Sequence, residues 1–317
     1  MKNQLDTLLK NYVAKLNLDA AAVVDRQGLI ISSVVSPKIK EDEQLGAITA
    51  LVDSLIDRIK KEFGGKQEFS NYMNVEDRKF LFTSAGTDAI LTSLATAQTD
   101  DNALHVFGKY VAEKASRIIA QQANVPLIFP PILDLLGKFQ GGKMPKRSFA
   151  TKVILCGDYQ VGKTSLIRRY VEEKFMDSYA TTIGVDITKK TISIAEGCQV
   201  EFLIWDIAGQ RKQFHAYRSR FYAGASCVFI VYDKTRPDSF ASIDYWLNDI
   251  KSVITESITI MLVGNKSDLV SQEKIMVSQL ATKAAELGVP FIETSAKTGE
   301  NITEAFTYMA YQIVSKS

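Results

Sequence analysis

The stretch Gly157-Asp158-Tyr159-Gln160-Val161-Gly162-Lys163-Thr164 decides the fold, because it fits the pattern G-x-x-x-x-G-K-[ST]. An apolar run at 151–156 predicts a β-strand directly before it, and Ser165 opens a predicted helix after it. In such a loop the glycines let backbone N–H groups close around phosphate oxygens, and the helix N-terminus adds partial positive charge. Lys163 then reaches the outer phosphates, and the Thr164 hydroxyl is a candidate Mg²⁺ ligand. The sequence therefore predicts a phosphate-binding loop over residues 157–165.

A second motif, Asn265-Lys266-Ser267-Asp268, ends another apolar run and predicts which base is bound. The Asp268 carboxylate is able to accept two hydrogen bonds from guanine, at N1–H and at the 2-amino group. Adenine offers neither donor there and leaves a desolvated charge unpaired. The aliphatic stem of Lys266 is expected to lie over the ring. The motif favours a guanine nucleotide over an adenine nucleotide.

From residue 148 to residue 317 the chain resembles the Ras-like small GTPases. The two motifs carry the resemblance together with Asp206-Ile207-Ala208-Gly209-Gln210 and Glu293-Thr294-Ser295-Ala296-Lys297, and the strings 182–186, 231–233 and 293–301 are most similar to the Rab branch. The resemblance implies an α/β fold, a P-loop NTPase G domain with a mostly parallel central sheet and helices on both faces. It also implies a switch that binds GTP and GDP with Mg²⁺ and slowly hydrolyses GTP to GDP and phosphate.

The resemblance also assigns roles to single residues. Asp206 is expected to hold Mg²⁺ through water, Gly209 to offer its N–H to the γ-phosphate, and Gln210 to orient the attacking water. Thr182 matches the threonine that closes on Mg²⁺ in the triphosphate state, although the neighbouring Thr181 competes for that role. The expected catalytic residues are Lys163, Thr182, Gly209 and Gln210. The expected metal ligands are Thr164, Thr182 and Asp206. The expected nucleotide-binding residues are Gly157, Asp158, Tyr159, Gln160, Val161, Gly162, Lys163, Thr164, Ser165, Phe175, Tyr179, Thr182, Gly209, Asn265, Lys266, Asp268, Ser295, Ala296 and Lys297.

Several positions depart from the family or have a second interpretation. Phe175 matches the aromatic residue beside the base, but an ordinary core position is the alternative. Tyr159 and Gln160 stand where Ras has glycine, and Tyr159 is expected to overhang the γ-phosphate and to block an arginine inserted by an activator. Arg211 follows Gln210 where an acidic residue is usual. The switch regions, residues 177–186 and 206–222, are expected to contact effector and regulator proteins.

The first 122 residues predict a smaller α+β domain. Gly28 is free to take positive φ in the tight turn at 25–28, and Gly64-Gly65 ends a long helix. The order of elements and the string Ala21-Ala-Val-Val-Asp-Arg-Gln-Gly28 resemble the roadblock family. No catalytic set or metal spacing occurs in this half, and His105 is interpreted as structural or solvated. The expected elements are helices at 5–16, 42–63 and 102–122 and strands at 20–24, 29–31, 69–75, 79–84 and 89–95.

The segment 123–147 is predicted to be a linker, because it is crowded with proline and glycine. Pro131 is expected to open a short helix over 132–136 that packs on one domain. The basic string at 143–147 is interpreted as solvated linker charge, with phosphate or anionic lipid as the alternative. The expected domains are therefore 1–122, 123–147 and 148–317.

Assembly is predicted from two features of the first domain. The run at 69–75 carries no proline or lysine to protect a sheet edge, and unprotected edges tend to pair. The helix at 42–63 has more apolar positions than one small sheet covers, which leaves Ile48, Val52 or Leu55 for a partner. We expect a homodimer through residues 1–122. The alternative is a monomer in which the linker covers that helix.

Composition excludes several functions. The chain has 38 basic and 36 acidic side chains, nearly balanced along its length, so no nucleic-acid partner is expected. Three scattered cysteines fit buried thiols in a reducing compartment and favour neither disulfides nor zinc. No apolar run spans a bilayer and no lipidation motif occurs. We expect a cytoplasmic protein without an intrinsic membrane anchor, recruited to a membrane only through a partner.

Two accounts of the whole chain stay open. In the first, the protein is a self-contained switch in which Thr182 and Gly209 respond to the γ-phosphate. In the second, a roadblock dimer scaffolds partners and the nucleotide-binding domain is static. The intact Gln210 and Asp206 favour the first account, and the Tyr159-Gln160 pair favours the second.

Overall fold

The computed structural model describes residues 1–37, 43–64, 69–122, 125–138, 145–176, 182, 184–195, 197–209 and 220–316. The chain divides into two compact units. One comprises Met1–Phe129 with Leu133–Gln140, and the other comprises Pro130–Ile132 with Gly141–Ser317.

The first unit contains a five-stranded antiparallel sheet with the order β2-β1-β5-β4-β3. Its elements follow the predicted order, with small shifts at their ends. The strands are β1 (Ala20–Asp25), β2 (Ile30–Val35), β3 (Ser70–Val75), β4 (Arg78–Ala85) and β5 (Ala89–Thr96), and the helices are α1 (Lys2–Leu16), α2 (Glu43–Phe63) and α3 (Asp101–Ile119). Gly28 has the predicted positive φ, at 91°.

Two neighbouring residues of β5 show how the helices flank this sheet. The Ser93 hydroxyl is 3.1 Å from the Tyr12 hydroxyl of α1, and the Thr92 hydroxyl is 2.7 Å from that of Thr49 on α2. Consecutive residues of a strand point to opposite faces. Helix α1 therefore lies on one face of the sheet, in contact with α3, and α2 lies on the other.

Helix α2 meets the sheet through small and polar residues, which differs from the sequence expectation. Periodicity placed its apolar residues on one side, but only Leu45 among them is buried, alongside Gly46, Thr49 and Asp53. A Cβ on Gly46 would overlap the carbonyl oxygen of Gly28, so the glycine permits close packing against the hairpin. The inward Asp53 pairs with Arg26. Leu51, Leu55 and Ile59 are exposed, whereas Ile48, Val52 and Ile56 are half-buried, so part of the apolar side faces away from the sheet.

The linker helix forms close to where it was predicted, as α4 (Ile132–Gly137). Lys15 of α1 lies 2.7 Å from the Asp134 carboxylate. The Asn102 amide donates to the Leu136 and Gly137 carbonyls at 3.4 Å each. The linker helix therefore packs on the α1 and α3 side of the first unit. Of the basic string, Lys146 and Arg147 are exposed and Lys143 lies outside the described residues.

The second unit contains a six-stranded sheet with the order β11-β10-β9-β6-β8-β7, in which only the β7–β8 pairing is antiparallel. This confirms the mostly parallel sheet implied by the motifs. The strands are β6 (Ser148–Cys156), β7 (Val185–Ala195), β8 (Cys198–Ile207), β9 (Cys227–Asp233), β10 (Thr259–Asn265) and β11 (Phe291–Glu293). The helices are α5 (Lys163–Glu172), α6 (Pro237–Ala241), α7 (Ile243–Lys251), α8 (Val277–Leu287) and α9 (Ile302–Ser315), with a 3₁₀ turn at Val270–Gln272.

The central strands of this sheet are mostly apolar, as is typical of strands covered on both faces. All residues of β9 and β10 are buried. The three cysteines are free and buried, as the sequence predicted. No helix in the described part of the chain is both long and apolar enough to cross a membrane.

We predict that Phe306→Ala strongly destabilises the second unit. Phe306 is buried and stacks on Tyr170 with ring centroids 3.8 Å apart, while Phe229 contacts it at 4.9 Å. Removing a buried aromatic ring lowers the free energy of unfolding by about 3–5 kcal/mol. Urea unfolding followed by tryptophan fluorescence measures it, because both tryptophans, Trp205 and Trp246, lie in this unit.

The matched control is Val270→Ala, at a side chain that is 61% exposed. Its unfolding free energy is expected to stay within about 0.5 kcal/mol of wild type. Equal losses in the two variants would contradict the assignment of Phe306 to the core.

Candidate nucleotide-binding site

The phosphate-binding loop connects β6 to α5 and requires glycine at both ends. Gly157 has φ 141° and Gly162 has φ 95°. A Cβ at Gly157 would overlap the Val231 carbonyl oxygen of β9, and one at Gly162 would overlap the Asn265 side-chain amide. At these two positions the loop is therefore packed too tightly on its neighbours for any residue larger than glycine.

Lys163 lies inside this loop. Its side chain is buried, and its Nζ donates to the carbonyls of Gly157 at 2.9 Å and Asp158 at 3.0 Å. Burial lowers the pKa of the Lys163 ammonium, and the nearby Asp206 carboxylate opposes that shift. A buried cation held at the mouth of an N–H-rich loop is suited to bind phosphate oxygens.

Three side chains that the sequence reasoning missed hold the loop from outside. Ser242 donates to one oxygen of the Asp158 carboxylate at 2.7 Å, and Trp246 Nε1 donates to the other at 2.8 Å. Arg236 donates to the Tyr159 carbonyl at 2.8 Å. Trp246 is buried among the apolar residues of an amphipathic helix, a sequence context that predicts core packing alone.

The predicted metal ligands meet at one point. The Thr182 hydroxyl is 2.8 Å from that of Thr164 and donates to Asp206 Oδ2 at 3.2 Å, and Thr164 donates to the same oxygen. Asp206 is buried, and no described residue bonds to its Oδ1. Burial raises the Asp206 pKa, while both threonine hydroxyls oppose the shift. One buried carboxylate with two hydroxyls fits Mg²⁺, which takes few protein ligands beside phosphates and water.

On the base side, the buried Asn265 amide joins the two halves of the site. Its Nδ2 donates to the Val161 carbonyl at 2.8 Å, and its Oδ1 accepts from the backbone N–H of Ala296 at 3.2 Å. Ser295 donates to Asp268 Oδ1 at 2.6 Å, which fixes the carboxylate that is predicted to read guanine. The Lys266 ammonium lies 2.6 Å from Asp233 Oδ2.

Part of this set lines a cavity of about 340 Å³, whereas the predicted residues Gly157, Asp158, Val161, Asp206 and Ser295 are not among its lining residues. Phe175 is half-buried on its wall, which favours the base-facing interpretation over the core one. The predicted residues on its wall are Tyr159, Gln160, Gly162, Lys163, Thr164, Ser165, Phe175, Thr182, Gly209, Asn265, Lys266, Asp268, Ala296 and Lys297. The lining residues that sequence reasoning missed are Arg168, Met176, Ile207, Ala208 and Leu269. Tyr179, Thr181, Gln210 and Arg211 lie outside the described residues.

The loop between β6 and α5, the strand order and the base-side motif together define a P-loop domain built for guanine nucleotides. The family model described as "Ras family" matches residues 152–315, and the one described as "Roadblock/LC7 domain" matches residues 4–95. The chain is 40% identical over 169 residues to Ras-related protein RABD2b of Arabidopsis thaliana, covering 53% of this chain and 83% of that protein. It is 39% identical, over the same length and share of this chain, to GTP-binding protein YPTM2 of Zea mays and Ras-related protein Rab-1D of Dictyostelium discoideum, covering 82% of each.

The chain belongs to the Ras family and carries a Roadblock/LC7 domain before its G domain. It is a small GTPase, an enzyme that hydrolyses GTP to GDP and phosphate. The N-terminal resemblance is confirmed as well.

We predict that Asp268→Asn moves base preference from guanine towards xanthine. The asparagine oxygen still accepts from Ser295, and the amide nitrogen then donates to the 2-oxo group of xanthine. Titration calorimetry with GDP and xanthosine diphosphate measures the change. Asp238→Asn, at an exposed carboxylate of the same domain, is the control and keeps the wild-type preference. Unaltered preference in Asp268→Asn would remove this carboxylate from base recognition.

Proposed function

We propose that the protein is a guanine-nucleotide-dependent switch that binds GTP or GDP with Mg²⁺ and hydrolyses GTP slowly, while its roadblock domain dimerises or docks partners. The meeting of Thr182 with Thr164 and Asp206 carries the proposal. Thr182 is 18 residues from Thr164 and 24 residues from Asp206 in the sequence. Its hydroxyl nevertheless reaches the point where the γ-phosphate end of a nucleotide would lie. A residue in that position is able to distinguish triphosphate from diphosphate.

Thr164, Thr182 and Asp206 are the residues that would hold Mg²⁺. The ion supplies positive charge to phosphate oxygens during transfer. Lys163 adds a second positive charge from inside the loop, and its hydrogen bonds to the loop carbonyls fix where that charge lies. Asp206 itself is held by two hydroxyl donors, which keeps its Oδ2 aimed at the site.

Hydrolysis is proposed to be slow, on the order of 10⁻⁴–10⁻³ s⁻¹ as in Ras without its activator. Tyr179 and Ala180 stand where a cis arginine finger would precede Thr182. Gln210 would orient the attacking water. Tyr159 lines the cavity and is 36% exposed, so it is placed to meet an arginine supplied by another protein.

The static-scaffold account has one observation in its favour. A Cβ at Gly209 would overlap the backbone of Asp158 and Tyr159. Gly209 therefore lies against the phosphate-binding loop. Because Ser242, Trp246 and Arg236 hold that loop, the movement available to Gly209 when the γ-phosphate leaves is limited. Measured turnover decides between the two accounts.

We predict single-turnover GTP hydrolysis at the Ras-like rate in wild type and at least about tenfold slower hydrolysis in Gln210→Leu. Affinities for GDP and GTP should stay within a few-fold, because the glutamine acts on water in the transition state. Released phosphate measures the rate, and chelation of Mg²⁺ should abolish it.

Gln199→Leu is the control, since Gln199 is exposed at the start of β8, away from the loops at the carboxyl ends of the strands. It should hydrolyse GTP at the wild-type rate. Tight GTP binding by wild type with a rate far below the Ras-like value would support the static scaffold.

Dimerisation is proposed to use the apolar outer side of α2 and the edge strand β3. Leu51, Leu55 and Ile59 are 73%, 58% and 48% exposed at helical spacing, and β3 pairs only with β4 among the described strands. The monomer alternative required the linker to cover α2. However, the Leu127 carbonyl accepts from Asn11 of α1, so the described linker lies on the opposite side of the sheet.

We predict a dimer of the 35.2 kDa chain by light scattering at tens of micromolar, and a monomer for Leu55→Glu. The introduced carboxylate is tolerated on an exposed side of a helix, but it destabilises an interface in which it would be desolvated. Ile128→Glu, at an 80% exposed linker residue, is the control and should stay dimeric. A monomeric wild type would overturn the dimer.

The remaining partner assignments are also proposals. Effectors and regulators would bind the switch regions 177–186 and 206–222, much of which lies outside the described residues. A cytoplasmic location, with recruitment to a membrane through a partner, is consistent with the exposed apolar side of α2 being used for protein contacts.

A further inference from the structure

A buried lysine lies behind the loops that are predicted to read the base. Lys234 directly follows β9, and its side chain is 5% exposed. Its Nζ is 2.6 Å from Glu293 Oε1 and 2.8 Å from Glu273 Oε1. Lys234 does not line the nucleotide cavity, so it acts on the nucleotide only through other residues.

The backbone of Lys234 joins the same region. Its N–H donates to the Asn265 carbonyl at 3.1 Å, and its carbonyl accepts from Lys274 at 3.0 Å and Ile275 at 3.1 Å. The residue therefore ties the end of β10 to the segment before α8. Through Glu293 it also reaches the loop that contains Ser295 and Ala296.

Charge makes this connection strong. Two carboxylates that share a largely buried space repel each other unless a cation lies between them. No described residue makes a regular hydrogen bond to Glu293 Oε1, so the Lys234 ammonium is its compensation. Both glutamates also add to the raised pKa of the Tyr232 hydroxyl, which burial causes.

The preceding residue makes the complementary contact. Asp233 Oδ2 pairs with Lys266 at 2.6 Å, while its Oδ1 accepts from Thr235 at 2.7 Å. Adjacent residues of opposite charge thus hold the two base-side loops, Asp233 the loop at 265–268 and Lys234 the loop at 293–297.

We propose that Lys234 is a positioning residue for guanine recognition, which holds Glu293 and its loop so that Ser295 keeps Asp268 on the 2-amino edge of the base. The proposal rests on the guanine-nucleotide binding proposed above. It implies that Lys234 sets the rate of GDP release and the preference for GDP over inosine diphosphate, which lacks the 2-amino group.

The test compares Lys234→Met with wild type in the full chain. Release of a fluorescent GDP analogue should become about tenfold faster, because without the cation Glu293 is left uncompensated and the loop that carries Ser295 is no longer held in place. The ratio of GDP to inosine diphosphate affinity should fall several-fold. Lys234→Arg keeps the cation and should stay within about twofold of wild type in both measurements.

Two further variants keep the test decisive. Glu273→Gln leaves the Lys234–Glu293 pair in place and should accelerate GDP release by a smaller factor. This variant replaces Lys234→Met as the test if Lys234→Met does not fold. Lys283→Met removes an ion pair between α8 and Asp244 of α7, which involves neither Lys234 nor the base-side loops, and is the matched control. It should leave release and base preference at wild-type values.

The outcomes separate this proposal from the function it rests on. A wild type that binds no GDP would overturn the proposed function. If wild type binds GDP but Lys234→Met and Glu273→Gln both keep the wild-type rate of GDP release or the wild-type ratio of GDP to inosine diphosphate affinity, only the role of Lys234 would be overturned. Faster release with an unaltered ratio would also overturn it, since a general loss of stability would then suffice.

Discussion

The side-chain amide of Asn265 is the contact on which the nucleotide site depends. It donates to the loop that follows β6 and accepts from the loop that follows β11. Because an amide has both a donor and an acceptor, one buried side chain fixes the phosphate end and the base end of the cavity at a set separation. Gly162 must lack a Cβ for that amide to fit. Substitution of Asn265, or a side chain at Gly162 that displaces it, would leave buried polar groups of the two loops unpaired.

The parallel sheet makes this arrangement possible. Strands β6, β9, β10 and β11 all end at the same edge, so the loops that follow them are neighbours although far apart in sequence. The polar groups at that edge are then held by hydrogen bonds and ion pairs. Asp158 is held by Ser242 and Trp246, and Lys234 is held by two glutamates. Such fully paired buried groups restrict a loop to one geometry.

The roadblock domain follows a different constraint. Its sheet is covered on one face by α1 and α3, while α2 approaches the other through glycine, threonine and a paired aspartate. Part of the apolar side of α2, at Leu51, Leu55 and Ile59, is consequently exposed. A helix that turns apolar residues away from its own sheet is suited to contact between chains, and this is the basis of the proposed dimer.

The sequence by itself determined the class of the fold, the phosphate loop and most of the loops that line the cavity, because each motif is contiguous and its chemistry follows from residue type and spacing. It also determined the order of elements in the first domain through hydrophobic periodicity. It did not determine which side of α2 faces inward, since periodicity shows that a helix has an apolar side but not what that side contacts. The residues that position the site, Trp246 behind Asp158 and Lys234 behind Glu293, were hidden for a related reason. A buried tryptophan or a lone lysine has no local signature, and only the packing of distant strands and helices decides which polar atom it meets.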